Sequence, residues 1–201
     1  PNVAYSPNGK TLASGSWSKK LTYGEIKVWD TATGKLKRNL PRQKSFVAEV
    51  CFSPDGQSLI STGGDDTLKV WDVETGELKQ TLRGVGQGLA LAFSPDGRYL
   101  AAGGWNKVVK LWDAHDYSLL RKWSFEDAEV RSIAFSPDSG TVAIAASRTD
   151  VTVWNVQTGS LEHTFKGHKF LVMGLAFSPD GKMLASGGMD STLHLWRIPG
   201  R

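Results

Sequence analysis

Residues 175–197 read LAFSPDGKMLASGGMDSTLHLWR. An alternating run ends in Ser-Pro, an Asp-Gly pair follows, a second run ends in Gly-Gly, and a third run ends in tryptophan. Asp-Gly between alternating runs is a strong signal for a β-hairpin, because glycine accepts a positive φ at little cost. The stretch therefore predicts three short antiparallel strands joined by tight turns.

The same arrangement occurs five times along the chain. The tryptophans that end the third run are Trp29, Trp71, Trp112, Trp154 and Trp196. Neighbouring tryptophans of this set are 41 or 42 residues apart. The separation from the Ser-Pro proline to the tryptophan is 17 residues in four copies and 22 in the first, whose extra residues lie within 18–25. A fixed period of this length indicates a tandem repeat protein.

Each period contains four short strand-like runs, and no stretch shows sustained helical periodicity. This pattern predicts an all-β fold with one four-stranded antiparallel sheet per repeat, and such sheets must stack to bury their faces. We expect one region over residues 1–201, with repeats at approximately 1–40, 41–82, 83–123, 124–165 and 166–201. The fifth repeat is expected to lack its fourth strand. The aromatic residue before each Ser-Pro pair is expected to fill the space between sheets: Tyr5, Phe52, Phe93, Phe135 and Phe177.

These motifs resemble the WD-repeat family of β-propellers, and in particular its bacterial members, over essentially the whole chain. The similar features are Gly167-His168, the Ser-Pro-Asp-Gly turns, Asp190 six residues before Trp196, and three Trp-Asp pairs. The resemblance implies sheets arranged as blades of a ring and a platform for protein partners that performs no chemistry. Because the family commonly has seven blades, we expect a fragment of a larger propeller. Its partners would then include the remaining blades or other domains of the same polypeptide.

The resemblance also implies a buried hydrogen-bond network within a blade, made by a histidine, a serine or threonine, an aspartate and the tryptophan. The fifth repeat has all four residue types, and the second repeat has three of them with Gln43 at the histidine position. The predicted structural network consists of His168, Ser186, Asp190, Trp196, Ser61, Asp65 and Trp71. His168, Ser186 and Asp190 also have the residue types of a hydrolase triad, but no nucleophile elbow surrounds the serine. We therefore do not expect an enzyme.

Large apolar residues recur ten positions after the Ser-Pro proline, in the turn between the second and third strands. Repeats one, three and five have Trp17, Trp105 and Met189 there, whereas Gly64 and Ser147 are at the equivalent positions. Tryptophan is enriched at binding hot spots, so we hypothesise a partner-binding rim. Its members are Trp17, Lys19, Lys20, Tyr23, Phe46, Trp105, Phe170, Leu171 and Met189. The alternative is that these side chains pack on neighbouring blades.

No metal site or cofactor is expected. The four histidines fall on different strands or turns without the spacing of metal ligands, and no glycine-rich phosphate loop precedes a helix. The net charge is +4, and residues 1–45 contain nine Lys or Arg residues but two acids. A basic face of this kind could attract nucleic acid, yet no cluster matches a nucleic-acid motif, so nucleic acid is an unlikely partner.

The most favoured function is a non-catalytic scaffold that binds a protein or peptide on the face carrying the turns between strands two and three. The alternative is a regulatory or sensory propeller module of a larger multidomain enzyme, such as a kinase or protease. No apolar run approaches the roughly 20 residues that span a bilayer, so we expect no membrane association and a cytoplasmic location.

Overall fold

The computed structural model describes residues 2–16, 23–126, 129–146 and 148–200. The regular structure of these residues is entirely β, in nineteen strands that form five antiparallel sheets. Four sheets have four strands and the fifth has three. The predicted all-β architecture, with five repeat units and a last unit without its fourth strand, is therefore confirmed.

We call each sheet a blade and number the strands in chain order. Within every blade, strands that are consecutive in sequence are neighbours in the sheet. The strands are β1 (Asn2–Tyr5), β2 (Thr11–Gly15), β3 (Ile26–Asp30) and β4 (Leu36–Asn39) in blade one; β5 (Val47–Phe52), β6 (Ser58–Gly63), β7 (Thr67–Asp72) and β8 (Leu78–Arg83) in blade two; β9 (Gly88–Phe93), β10 (Tyr99–Gly104), β11 (Val108–Asp113) and β12 (Leu119–Ser124) in blade three; β13 (Ser132–Phe135), β14 (Thr141–Ala145), β15 (Asp150–Asn155) and β16 (Leu161–Lys166) in blade four; and β17 (Val172–Phe177), β18 (Met183–Gly188) and β19 (Leu193–Arg197) in blade five.

The Ser-Pro-Asp-Gly turns close the first hairpin of the blades through their own side chains. In blade five, the Ser178 hydroxyl donates to Asp180 Oδ1 at 2.6 Å and accepts from the backbone N–H of Met183 at 2.9 Å. Gly181 has a φ of 71°, which is the left-handed region that glycine adopts readily. The turn thus needs the serine, the aspartate and the glycine for local hydrogen bonding and backbone geometry.

The residue pairing between the third and fourth strands shifts at the same place in four blades. The shift falls immediately before Trp29, Trp71, Trp112 and Trp154. A β-bulge of this kind re-aims the side chain that follows it. The repeated tryptophan is therefore set in a repeated local distortion of the strand.

The chain divides into two compact units, residues 1–91 and 92–201. The predicted single propeller region over residues 1–201 stays a prediction. In the first unit, an apolar core forms between blades one and two from residues such as Ile26, Val50 and Trp71. In the second unit, Val153, Val172 and other residues form an equivalent core between blades four and five. Each core arises because a single sheet exposes two apolar faces and stacking covers them.

The aromatic residues before the Ser-Pro pairs do not all fill such cores. Phe52 and Phe135 are buried, whereas Tyr5 is 67% exposed. The expectation was therefore wrong for Tyr5, because no described residue covers that face of β1. Separately, no helix of the described residues is long and apolar enough to cross a bilayer.

Candidate functional site: the turn rim and the blade networks

The turns between the second and third strands of blades three and five carry exposed apolar side chains. Trp105 follows β10 and Met189 follows β18, and each is 57% exposed. In blade five, the N–H of Met189 donates to the carbonyl oxygen of Leu171 at 2.8 Å. Residues 167–171 form the lead-in loop, by which we mean the residues that precede the first strand of a blade. The structure thus brings the lead-in loop and the turn of blade five together.

Phe170 lies in the same lead-in loop and is 48% exposed, while Leu171 is half-buried. Three of the predicted rim residues therefore lie on two adjoining segments of one blade. Trp105 occupies the equivalent turn two blades earlier. Their assignment to a binding rim stays a prediction.

In blade two the large apolar side chain lies in the lead-in loop and the turn carries a glycine. Gly64 stands at the position of Trp105 and Met189, and its N–H donates to the carbonyl oxygen of Phe46 at 3.3 Å. A Cβ atom on Gly64 would lie 2.5 Å from the Phe46 ring, so the ring occupies the space that a side chain at position 64 would need. The apolar group of this blade comes from the lead-in loop, and the turn accommodates it with glycine.

Only part of the predicted rim in blade one falls within the described residues. Tyr23 is half-buried, and the guanidinium carbon of Arg42 lies 4.1 Å from the centre of its ring. Arg42 also pairs with Glu25, at 3.6 Å between Nε and Oε1. Trp17, Lys19 and Lys20 lie outside the described residues.

The polar network of blade five links three segments of the chain. His168 Nδ1 is 3.0 Å from Asp190 Oδ2, and His168 Nε2 is 2.8 Å from Ser186 Oγ. The indole N–H of Trp196 donates to the same serine oxygen at 2.8 Å. Because a carboxylate only accepts, Nδ1 is the ring nitrogen that donates to Asp190. Ser186 is 1% exposed, so this network lies inside the blade.

Asp190 also fixes the backbone of the lead-in loop. It accepts from the Thr192 hydroxyl at 2.7 Å and from the N–H of Lys169 at 2.7 Å. These two hydrogen bonds, with smaller help from His168, hold the pKa of Asp190 well below its ordinary value. A Cβ on Gly188 would lie 2.6 Å from His168 Nδ1. Glycine at position 188 therefore leaves the room that the His–Asp pair requires.

Blade two keeps the serine, aspartate and tryptophan but not the histidine. The Trp71 indole N–H donates to Ser61 Oγ at 2.9 Å. Lys69 Nζ contacts Asp65 Oδ2 at 2.5 Å, and both side chains are 16% exposed. Burial disfavours the Asp65 carboxylate, but Lys69 and Thr67 outweigh it and hold its pKa below the ordinary value. Gln43 is buried beside this network, in a cavity that Ser61 and Asp65 also line, but its side-chain amide donates to the carbonyl oxygen of Pro41 at 2.9 Å.

Two other blades also satisfy their tryptophan with a hydroxyl, which in blade one is the equivalent serine and in blade four is a threonine. The Trp29 indole donates to Ser14 Oγ at 2.9 Å. In blade four, the Trp154 indole donates to Thr152 Oγ1 at 2.9 Å, and Thr152 in turn donates to the carbonyl oxygen of Ile144 at 3.2 Å. Thr152 is two residues before Trp154 on the same strand. Blade four thus replaces the absent serine without restoring the histidine or the aspartate.

Two features of the structure escaped the sequence reasoning. The first is that His194 lies beside His168, with ring centres 4.4 Å apart, although the two histidines fall on a strand and a loop as expected. The register could have indicated it, because His194 is directly opposite Ser186. The second is Glu49 on β5, whose burial raises its pKa to about 7 against the smaller opposing effect of the Leu91 N–H.

The sequence model of the family described as "WD domain, G-beta repeat" matches residues 2–30, 34–72, 76–113 and 159–197. These segments comprise most of the chain, and the chain belongs to this family. The first matched segment covers the first three strands of blade one. Each of the other three begins just before the fourth strand of one blade and ends with the third strand of the next, at residues 72, 113 and 197. Residues 114–158, which form the fourth strand of blade three and most of blade four, lie outside them.

Several curated proteins are similar to part of the chain. "Nuclear distribution protein PAC1" of Arthroderma benhamiae is 43% identical over 60 residues, which are 30% of this chain and 12% of that protein. "Small ribosomal subunit protein RACK1y" of Oryza sativa subsp. japonica is 39% identical over 66 residues, 32% of this chain and 18% of that protein. Human "WD repeat and SOCS box-containing protein 1" is 45% identical over 49 residues, 24% of this chain and 12% of that protein. The similar segments thus span less than a fifth of these relatives.

Proposed function

We propose that the chain is a non-catalytic scaffold that binds a protein or peptide on the turns between the second and third strands of its blades. The family membership and its WD-repeat relatives support a protein-interaction role in general. The observation that carries the more specific proposal is the exposure of Trp105 and Met189, each 57%, at equivalent turns. Large exposed apolar side chains at recurring positions are typical of interaction sites.

The exposure also bears on the alternative that these side chains pack on neighbouring blades. A tryptophan that covered a core would resemble Trp123, which is 6% exposed and donates its indole N–H to the carbonyl oxygen of Gly159. Trp105 is far more exposed than Trp123. Its removal should therefore cost little folding stability and should be felt mainly in binding. The cytoplasmic location remains part of the proposal and rests on the sequence.

The test uses peptides selected from a random library on the intact chain. We expect the double variant Trp105→Ala/Met189→Ala to weaken binding of the selected peptides by about 10-fold or more, as for truncation of hot-spot residues. The matched control is Leu119→Ala/Leu161→Ala, which removes two leucines that are 53% and 49% exposed at the start of fourth strands. Isothermal titration calorimetry gives the affinities, and thermal melting checks the fold.

The proposal predicts that the control binds as the unaltered chain does and that neither double variant loses more than a few degrees of Tm. Equal binding by the rim variant and the unaltered chain would exclude this rim. A large loss of Tm in the rim variant alone would favour the packing alternative.

A further inference from the structure

Three side chains of blade five converge although they come from three different segments. His168 lies in the lead-in loop, Asp190 in the turn between β18 and β19, and His194 on β19. One ligand-type atom of each lies within 4.8 Å of the corresponding atom of the other two. The side chain of His168 is fully buried, that of Asp190 is 6% exposed, and His194 is half-buried. Two imidazoles and one carboxylate are ligands that Zn²⁺ and related ions prefer.

The spacing of His168 and Asp190 already suits a shared ion. Their facing atoms, Nδ1 and Oδ2, are 3.0 Å apart. Two ligand atoms at about 2.1 Å from Zn²⁺ are separated by roughly 3.0–3.4 Å at angles between square and tetrahedral. An ion could therefore replace the proton between the two atoms with little movement of either side chain.

The far side of the His168 ring lies against a fixed hydroxyl oxygen that can accept from Nε2–H once Nδ1 binds an ion. Its Nε2 lies 2.8 Å from Ser186 Oγ, and that oxygen is fixed by the Trp196 indole at 2.8 Å. A hydrogen bond at the second nitrogen sets the tautomer and the orientation of a ligating imidazole. Nδ1 is consequently the nitrogen presented to Asp190.

His194 can supply the third ligand with a small adjustment. Its ring stacks on Trp196, with centres 5.0 Å apart and planes 6° from parallel. The ring centre lies 4.4 Å from that of His168. His194 is half-buried on β19, and a ligand atom of its ring already lies within 4.8 Å of those of His168 and Asp190.

The other repeats do not combine these residue types. The positions equivalent to His194, two residues before the tryptophan, are Lys27, Lys69, Lys110 and Thr152. The positions equivalent to His168 in repeats two to four are Gln43, Gly84 and Glu126. The structural network of the family needs no residue of this kind at position 194, so the network alone does not account for the second histidine.

We propose that His168, Asp190 and His194 form a binding site for a divalent transition-metal ion of the Zn²⁺ class. The ion joins the lead-in loop, the β18–β19 turn and β19, and water completes its coordination. On binding, the single imidazole proton of His168 moves from Nδ1 to Nε2, where it is donated to Ser186 Oγ, so the ligating ring stays neutral and blade five is stabilised. The site is independent of the proposed partner-binding function.

The test measures Zn²⁺ binding to the full chain, purified without a polyhistidine tag and stripped with a chelator. We expect one saturable Zn²⁺ per chain by calorimetry. At a free Zn²⁺ concentration about 100 times Kd, we expect Tm to rise by about 5–10 °C. Co²⁺ should bind in competition with Zn²⁺ and give visible bands of a nitrogen and oxygen site, without the thiolate band that Cys51 would produce.

The key variant is His194→Lys, which recreates the arrangement of Lys69 and Asp65 in blade two and should keep the fold. We expect it to weaken Zn²⁺ binding by about 100-fold or more, since loss of a ligand exceeds loss of an outer partner. His194→Gln serves as a second variant if the lysine perturbs folding. The matched control is His163→Ala, which removes a half-buried histidine on β16 and should bind Zn²⁺ normally.

Lack of saturable binding by the unaltered chain overturns the proposal. Undiminished binding by both His194 variants also overturns it, as does an equal loss in the His163 control. A thiolate band with Co²⁺ would assign the ion to Cys51 instead.

Discussion

Blades two and five share a serine, an aspartate, a threonine and a tryptophan at equivalent positions, yet they satisfy the aspartate differently. In blade five the partner is His168, which reaches Asp190 from the lead-in loop. In blade two the partner is Lys69, which reaches Asp65 from the next strand of the same hairpin. Blade five therefore ties three segments together, whereas blade two satisfies the same carboxylate within one hairpin.

This difference separates two tasks of the network. The bond from tryptophan to serine is present in both blades, at 2.9 Å and 2.8 Å, and it holds the second strand to the third. Of these two blades, only blade five anchors its lead-in loop through the histidine and aspartate of the network. In blade two the corresponding loop is held by the backbone, where Gln43 and Gly24 exchange both of their hydrogen bonds.

The largest expected difference between the blades is the effect of removing the lead-in side chain. His168→Ala leaves Asp190 and Ser186 with unmet hydrogen bonds in a buried place, and we expect a loss of about 3–4 kcal/mol of unfolding free energy. Gln43→Ala removes one hydrogen bond to Pro41 and should cost about 1 kcal/mol. Urea unfolding followed by tryptophan fluorescence measures both. Equal losses of unfolding free energy in the two variants would show that His168 and Gln43 stabilise their blades to the same extent.

The next effect concerns the partner that blade two uses instead. Lys69→Met leaves the Asp65 carboxylate unpaired while keeping the aliphatic bulk, and we expect a loss of about 2 kcal/mol. Lys27→Met in blade one is the matched control, because Lys27 is 37% exposed and pairs with Glu25 at 3.4 Å. An exposed pair of that kind contributes about 0–1 kcal/mol. If both variants unfold at the same urea concentration, Lys69 does not replace the histidine.

A third test uses pH, because blade two contains Glu49 where blade five has Gly174. Glu49 Oε2 is buried without a hydrogen-bond partner, and the pKa of this carboxyl is raised to about 7. Since the folded state favours the neutral acid, its stabilising contribution is complete below about pH 4.3, the pKa of an unfolded glutamate, and is lost as pH rises through about 7.

Glu49→Gln should therefore gain stability over the unaltered chain as pH rises, by about 3 kcal/mol at pH 8. Urea unfolding between pH 4.5 and 8 provides the comparison. The carboxyl of Asp190 in blade five contributes to stability with the opposite pH dependence, because its pKa is lowered. Its contribution is complete above about pH 4 and is lost on further acidification. A constant gap between Glu49→Gln and the unaltered chain would show that Glu49 is ionised throughout.

The smallest expected effect concerns the residues that follow Asp65 and Asp190 in the chain. Asp66 and Ser191 both have a positive φ, of 58° and 61°, which costs a non-glycine residue free energy. Ser191→Gly should stabilise by about 0.5 kcal/mol. Asp66→Gly should gain nothing, because Asp66 Oδ1 accepts from the N–H of Gly86 at 2.6 Å. Differential scanning calorimetry resolves the two, and equal gains in Tm would show that this hydrogen bond contributes little.

The features that could be predicted from the sequence are those that depend on neighbouring residues. The strands and hairpins follow from alternation and from turn residues such as Asp180 and Gly181, because these act over a few positions. The pairing of Ser186 with Trp196 follows from the repeat. The contact of Lys69 with Asp65 could not be predicted, since a flexible side chain has many partners in reach. The seating of Phe46 over Gly64 depends on the course of the lead-in loop, which only the folded chain defines.

Blade four also bears on how repeats of this kind are counted. Its four strands pair as those of the other blades do, although residues 114–158 lie outside the matched family segments. The tryptophan of this blade takes its hydroxyl partner from Thr152 on its own strand. A census of blades based on sequence signatures would record four units where the backbone builds five sheets. The spacing of the tryptophans stays at 42 residues on both sides of Trp154. This spacing therefore indicates the number of blades more dependably than the sequence signatures do.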